Sequence, residues 1–236
     1  MEILQLLALA LAPVAFLFTY VYLMDKYDRE PLKYLIITFI LGCLTAIPVL
    51  LIGEWLREVT SFAAIAGTII ETAVYAFFVV AFTEEYMKYL VLRLYNYPHK
   101  EFDEPYDGIM YGVAVSLGFA AVENVLYVLH AEDQAVSTGL LRMFTAVPGH
   151  AMFGVLMGYF VGKAKFHVGK VSPFWIRTLG LVVAILMHGL YDFLLFLGHN
   201  YTVILAFASL FIGIAVAARA IKLHAQISPH RYRDET

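Results

Sequence analysis

The stretch "FVVAFTEEYMKYLVLRLY", Phe78 to Tyr95, is apolar almost throughout yet carries Glu84, Glu85 and Lys88 at its centre. Without those three residues it reads as lipid-soluble helix, and the rest of the chain has the same character. Of 236 residues, 61% are hydrophobic and 15% charged, and the mean hydropathy is +0.76. A soluble domain carries about 25% charged residues. A chain this apolar has too few polar groups to cover a water-facing surface, so the composition predicts an integral membrane protein. The net charge of −3 gives no footing for nucleic acid. The single cysteine, Cys43, lies in an apolar run and reads as a packed thiol. The first apolar run lacks a cationic leader and an evident cleavage site, so it reads as a retained span.

Seven segments are long enough to cross a bilayer, which takes roughly 20 helical residues. They cover 3–24, 34–53, 62–95, 107–129, 139–164, 173–198 and 201–222. The third is overlong and is expected to tilt, break or extend past the membrane. The segment "GEWLREVTSF" before it leaves room for an interfacial turn or an eighth short element. Basic residues fall on alternate connections: Lys26, Arg29 and Lys33, then Arg93 and Lys100, then Lys163, Lys165 and Lys170, then Lys222, Arg231 and Arg233. The intervening connections carry only Arg57. This alternation predicts an outside N-terminus and a cytoplasmic C-terminus. The fold class is therefore all-α: one polytopic helical bundle over residues 1–236, with short connections and local kinks at Pro13, Pro48 and Pro148.

A charge at mid-membrane depth costs at least about 2.5–3.5 kcal/mol, so such residues usually face the bundle interior and serve a function. The set comprises Glu71, Glu84, Glu85 and Lys88 in the third span, Glu123 and Asn124 in the fourth, His150 in the fifth, and His188 and Asp192 in the sixth. Glu71 lies near the headgroups. At about 1.5 Å per residue, His188 and Glu123 are about 22 and 24 Å from the inner ends of their spans. His150 is about 16 Å from its outer end, and Glu84 about 16 Å from its inner end. All four then fall within roughly two helical turns in depth, which permits one shared site. His188 and Asp192 are four apart on one helix face, as are Glu84 and Lys88, which could pair. Glu85 points about 100° away, free to aim at the bundle centre, unless the two glutamates exchange roles. Gly189 beside His188 allows another helix to approach closely.

Imidazoles and carboxylates at this depth suit a divalent transition metal, with zinc the default. The metal candidates are Glu123, His150, His188 and Asp192. Glu84 or Glu85 would move the proton of a water, Lys88 would hold one carboxylate ionised, and Asn124 could bind an oxyanion. Metal-free activation of water by Glu and His is the variant of this reading. Against it stand a proton- or cation-coupled transporter using the same cluster as a relay, and a non-catalytic binding protein in which the cluster is structural. No paired inverted halves favour the transporter.

Four motifs carry a resemblance. "EEYMK" at 84–88, "FAAVEN" at 119–124, "PGHAMFG" at 148–154 and "HGLYD" at 188–192 resemble, in order, the motifs of the PrsW family of intramembrane metalloproteases. The likeness covers roughly residues 70–198. It implies a multi-pass protease of the bacterial cytoplasmic membrane, related to the CAAX prenyl endopeptidases and bacteriocin-processing homologues. It also implies a single-pass membrane-anchored protein as substrate, an anti-sigma factor in linked family members. Glu84, Glu85 and His188 match the essential positions; Glu123, His150 and Asp192 match others. The CAAX enzymes usually have Asn where Asp192 stands, which favours PrsW and a ligand role for Asp192.

Overall fold

A computed structural model describes residues 2–25, 28–60 and 68–227, and all regular structure among them is helical. Lys26, Arg231 and Arg233 of the charge alternation lie outside the described residues, as do Ser61 and Phe62. Helix α1 is Ile3–Met24 and α2 is Leu32–Thr60. The third crossing runs as α3 (Ile69–Val74), a π-helical stretch (Tyr75–Ala81), α4 (Phe82–Val91) and a second π-helical stretch (Leu92–Asn96). Then follow α5 (Pro105–His130), α6 (Ala135–Phe144), α7 (Ala146–Lys165), α8 (Pro173–Phe196) and α9 (Asn200–Gln226).

Six helical stretches among the described residues are long and apolar enough to cross a membrane. The third crossing stands apart because Glu71, Glu84, Glu85, Lys88 and Arg93 interrupt it. It is overlong, as expected, and stays helical throughout. The π stretch widens the turn just before Glu84, and such bulges often occur at functional sites. Its N-terminal end is fixed by a reciprocal cap: Thr68 N donates to Glu71 Oε2 at 2.6 Å and Glu71 N to Thr68 Oγ1 at 3.3 Å. Glu71 therefore serves the helix end, not the interior.

Two expectations are corrected here. Residues 53–60 form no interfacial turn and simply continue α2. The fifth span is two helices, broken at Thr145 (φ −127°, ψ −77°). Pro148 consequently sits in the first turn of α7, where no intrahelical N–H is required, and makes no kink.

Helix α5 is the axis of the bundle, buried for most of its length. It meets α7 backbone to backbone. A Cβ on Gly158 would stand 2.1 Å from Gly108 O, and one on Gly112 would stand 2.3 Å from Gly154 O. Lipid offers no hydrophobic force between helices, so small residues at four-residue spacing supply the close packing that joins them. Helix α8 closes on the π stretch at the point expected from Gly189, where a Cβ would meet the Phe77 ring at 2.4 Å. These two joints bring α4, α5, α7 and α8 around one interior volume.

Candidate active site

Lys88 lies at the centre of that volume with no exposed surface. Its ammonium donates to Glu85 Oε1 at 2.8 Å, Glu84 Oε2 at 3.4 Å and His150 Nδ1 at 3.2 Å. The Phe119 ring lies 4.2 Å from the nitrogen and receives its remaining face. Lysine has no acceptor, so His150 Nδ1 must be the lone-pair nitrogen and Nε2 carries the proton. Glu123 Oε2 accepts from that Nε2 at 2.8 Å.

His188 is held from both sides by carboxylates. Its Nδ1 is 2.9 Å from Glu85 Oε1, and its Nε2 is 3.3 Å from Asp192 Oδ2. The Phe153 ring stacks on the imidazole at a centroid distance of 4.7 Å. The two histidine rings are 5.4 Å apart and perpendicular. Lys88 thus contacts both glutamates, more closely Glu85, which is the exchange of roles that the spacing left open.

One ligand atom from each of Glu84, Glu85, His150 and His188 lies within 4.8 Å of the others. Glu123 and Asp192, both on the ligand list drawn from the sequence, sit on the outward ring nitrogens of the two histidines. Carboxylates in that position orient the imidazoles that bind a metal. The four inner residues fit a divalent cation by two structural criteria. Glu85 Oε2 is buried with no partner. His188 faces a carboxylate oxygen on each ring nitrogen, an arrangement satisfied only by two protons or by one proton and a cation.

A cavity of about 410 Å³ reaches this cluster and is lined by Glu84, Glu123, Arg142, His150, His188 and Asp192. A second, of about 300 Å³, meets it at Glu84 and Glu123 and runs along the C-terminal half of α2 past Ala46 and Gly53. Of the four clustered residues, Glu84 is the one that lines both. Asn124 is buried behind Glu123. Its amide donates to the Ala10 carbonyl of α1 at 2.7 Å, and its oxygen accepts from Arg142 Nε at 2.7 Å.

Arg142 is the residue that reading the sequence missed. It lies inside the segment 139–164, yet it was absent from the set of intramembrane charges. Its Nη2 donates to Glu123 Oε2 at 2.6 Å. The signal was present: a cation eight residues before His150 in an apolar run.

Comparison with known proteins agrees with this geometry. The family model for the PrsW family intramembrane metalloproteases matches residues 30–218. The Protease PrsW of Geobacillus kaustophilus is 40% identical over 192 residues, covering 81% of this chain and 80% of the relative. The Protease PrsW of Bacillus subtilis is 38% identical over 190 residues, 80% and 82% of the two chains. That of Halalkalibacterium halodurans is 34% identical over 224 residues, 94% and 98% of the two chains. No solved structure matches the chain. A match spanning most of the chain, on a bundle that gathers all four motifs, identifies it as a multi-pass membrane peptidase of the PrsW family of intramembrane metalloproteases.

Proposed function

We propose that the chain hydrolyses a peptide bond of a single-pass, membrane-anchored protein at the Glu84–Glu85–His150–His188 cluster, as one catalytic domain in a bacterial cytoplasmic membrane. The observation that carries this reading is the convergence of those four ligand atoms within 4.8 Å, at the end of a cavity. An anti-sigma factor is the substrate class that the family resemblance suggests. Zinc is the metal that the donor chemistry favours.

Glu85, His150 and His188 make a three-donor set of the His₂Glu kind found in catalytic zinc sites. A divalent cation held by them would polarise the scissile carbonyl and lower the pKa of water. Glu84 is then the general base. It faces both cavities and has only the longer contact to Lys88, whereas Glu85 Oε1 is shared between Lys88 and His188. Glu84 takes a proton from water and returns it to the leaving amine. The Lys88 ammonium offsets the negative charge of the two glutamates. Glu123 and Asp192 hold the imidazoles, and the Phe119 and Phe153 rings pack against them.

The test is elemental analysis of the purified protein and of His188→Ala, together with cleavage of a single-pass substrate. One bound zinc in the wild type, little in the variant, and loss of cleavage in His188→Ala and Glu85→Ala are expected. Full cleavage by both variants would overturn the reading.

A further inference from the structure

We propose that Arg142 is a positioning residue of this hydrolytic centre, acting through Glu123 to set the orientation and tautomer of His150. The proposal rests on the hydrolytic reading above and adds to it a residue from outside the four motifs. Arg142 belongs to α6, a ten-residue helix that carries none of the motif residues. It reaches across to α5 with two nitrogens of one rigid fork, Nη2 on Glu123 and Nε on Asn124. Its guanidinium carbon lies 4.0 Å from the centroid of the Tyr127 ring, which fixes the plane of the fork.

The consequence follows along a chain of hydrogen bonds. Glu123 Oε2 accepts from Arg142 and from His150 Nε2 at once. With that proton held on Nε2, the lone pair of His150 is on Nδ1, the nitrogen that faces Lys88 and the inner cluster. A free Glu123 side chain could rotate away, and His150 would then be able to turn its protonated nitrogen inward. Asn124 supplies the second anchor: its other end is bonded to the Ala10 carbonyl, so the fork is braced against α1. Lysine has the charge but not the fork, and cannot reproduce both contacts in this geometry. The break at Thr145 matters here because it frees α6 from the axis of α7 and lets Arg142 face Glu123.

The test uses Arg142→Lys, Arg142→Ala, Glu123→Gln and the double variant Glu123→Gln/Arg142→Ala in the full chain. The substrate is a single-pass membrane protein cleaved by the wild type. The second probe is Co²⁺ alone, titrated into purified protein. Both arginine variants are expected to lower kcat and Co²⁺ affinity roughly 10–100-fold, with KM within about twofold. The double variant is expected to be no slower than Glu123→Gln. Millimolar methylguanidinium should raise the rate of Arg142→Ala and leave the double variant unchanged, a rescue that a purely structural role would not give. Should Arg142→Ala fail to accumulate, Arg142→Lys carries the test, since it keeps the charge and stem and loses only the fork. Arginine variants with kcat and Co²⁺ affinity within twofold of wild type, beside an inactive Glu85→Ala, would overturn this proposal alone. A fully active Glu85→Ala would instead overturn the hydrolytic reading beneath it.

Discussion

Two groups of buried acids sit at opposite ends of α5, about 24 Å apart along the helix from Asp107 to Glu123. In the group around Glu123, the acids Glu84, Glu85 and Glu123 are interleaved with Lys88, Arg142 and two histidines, so every carboxylate has a cation or an imidazole against it. The group around Asp107 holds Asp25, Glu30, Glu104 and Asp107, all buried. There the partners are of another kind. Tyr111 donates its hydroxyl to Glu30, and Asp107 Oδ2 accepts from the backbone of Asp103 and Glu104. Lys165, the nearby amine, donates to the carbonyls of Tyr97 and His99. Acids thus sit among cations and imidazoles at one end, and at the other Glu30 and Asp107 are held by hydroxyl and backbone donors. Interleaved cations keep carboxylates ready to exchange protons and bind metal, whereas burial without them favours the protonated form.

The sharpest break between the groups should come in activity. Glu85→Ala or His188→Ala is expected to lower proteolysis by about 10³-fold or more, as for loss of a group that acts on the reacting atoms. Asp25→Asn and Glu30→Gln should leave the rate at the wild-type level, measured on the same substrate. Next comes stability. Lys88→Met leaves Glu84 and Glu85 buried without their ammonium, which costs about 3–5 kcal/mol. Thermal unfolding in detergent should then shift down by roughly 10 °C. A shift no larger than that of Glu30→Gln would erase the distinction.

How far the sequence revealed this contrast depends on what each residue type costs when buried. Glu84, Glu85, Lys88, His150 and His188 were legible because a charge or imidazole in an apolar run is expensive and therefore informative. Their convergence followed from depth alone. Arg142 carried a signal as a cation in an apolar run, but three residues inside its segment a long basic side chain ordinarily reaches back to the interface, so its inward aim was hidden. The inward positions of Asp25 and Glu30 were hidden because loop acids are normally solvated. Residue identity does not say which ring nitrogen a carboxylate will touch, so the roles of Glu123 and Asp192 had to wait for geometry. The π stretch before Glu84 has no compositional mark, and the break at Thr145 falls just before Pro148, whose missing N–H and bulky ring do not let the preceding helix run on.

The smallest effect should come from pH. Burial pushes the Asp25 carboxyl up to about 7 against the backbone hydrogen bond from Glu30, and burial likewise pushes Glu30 up to about 7 against its bonds to Tyr111 and Asp107. Between about pH 4 and 7 the folded chain therefore holds protons that the unfolded chain has lost. Stability is expected to fall as pH rises through that window and to level off above it. The melting temperature should drop by roughly 5 °C between pH 5 and 8. The Asp25→Asn/Glu30→Gln double variant should flatten that slope, and a slope unchanged in the double variant would show that other groups set it.

The most direct test of the Glu84–Glu85–His150–His188 cluster as a peptidase centre compares new protein N-termini in membranes from cells expressing the wild type or Glu84→Gln, which removes the proposed base and keeps its shape. The wild type should generate N-termini within or beside the membrane segment of one or more single-pass proteins, and Glu84→Gln should generate none of them. The same set of N-termini from both would contradict the account.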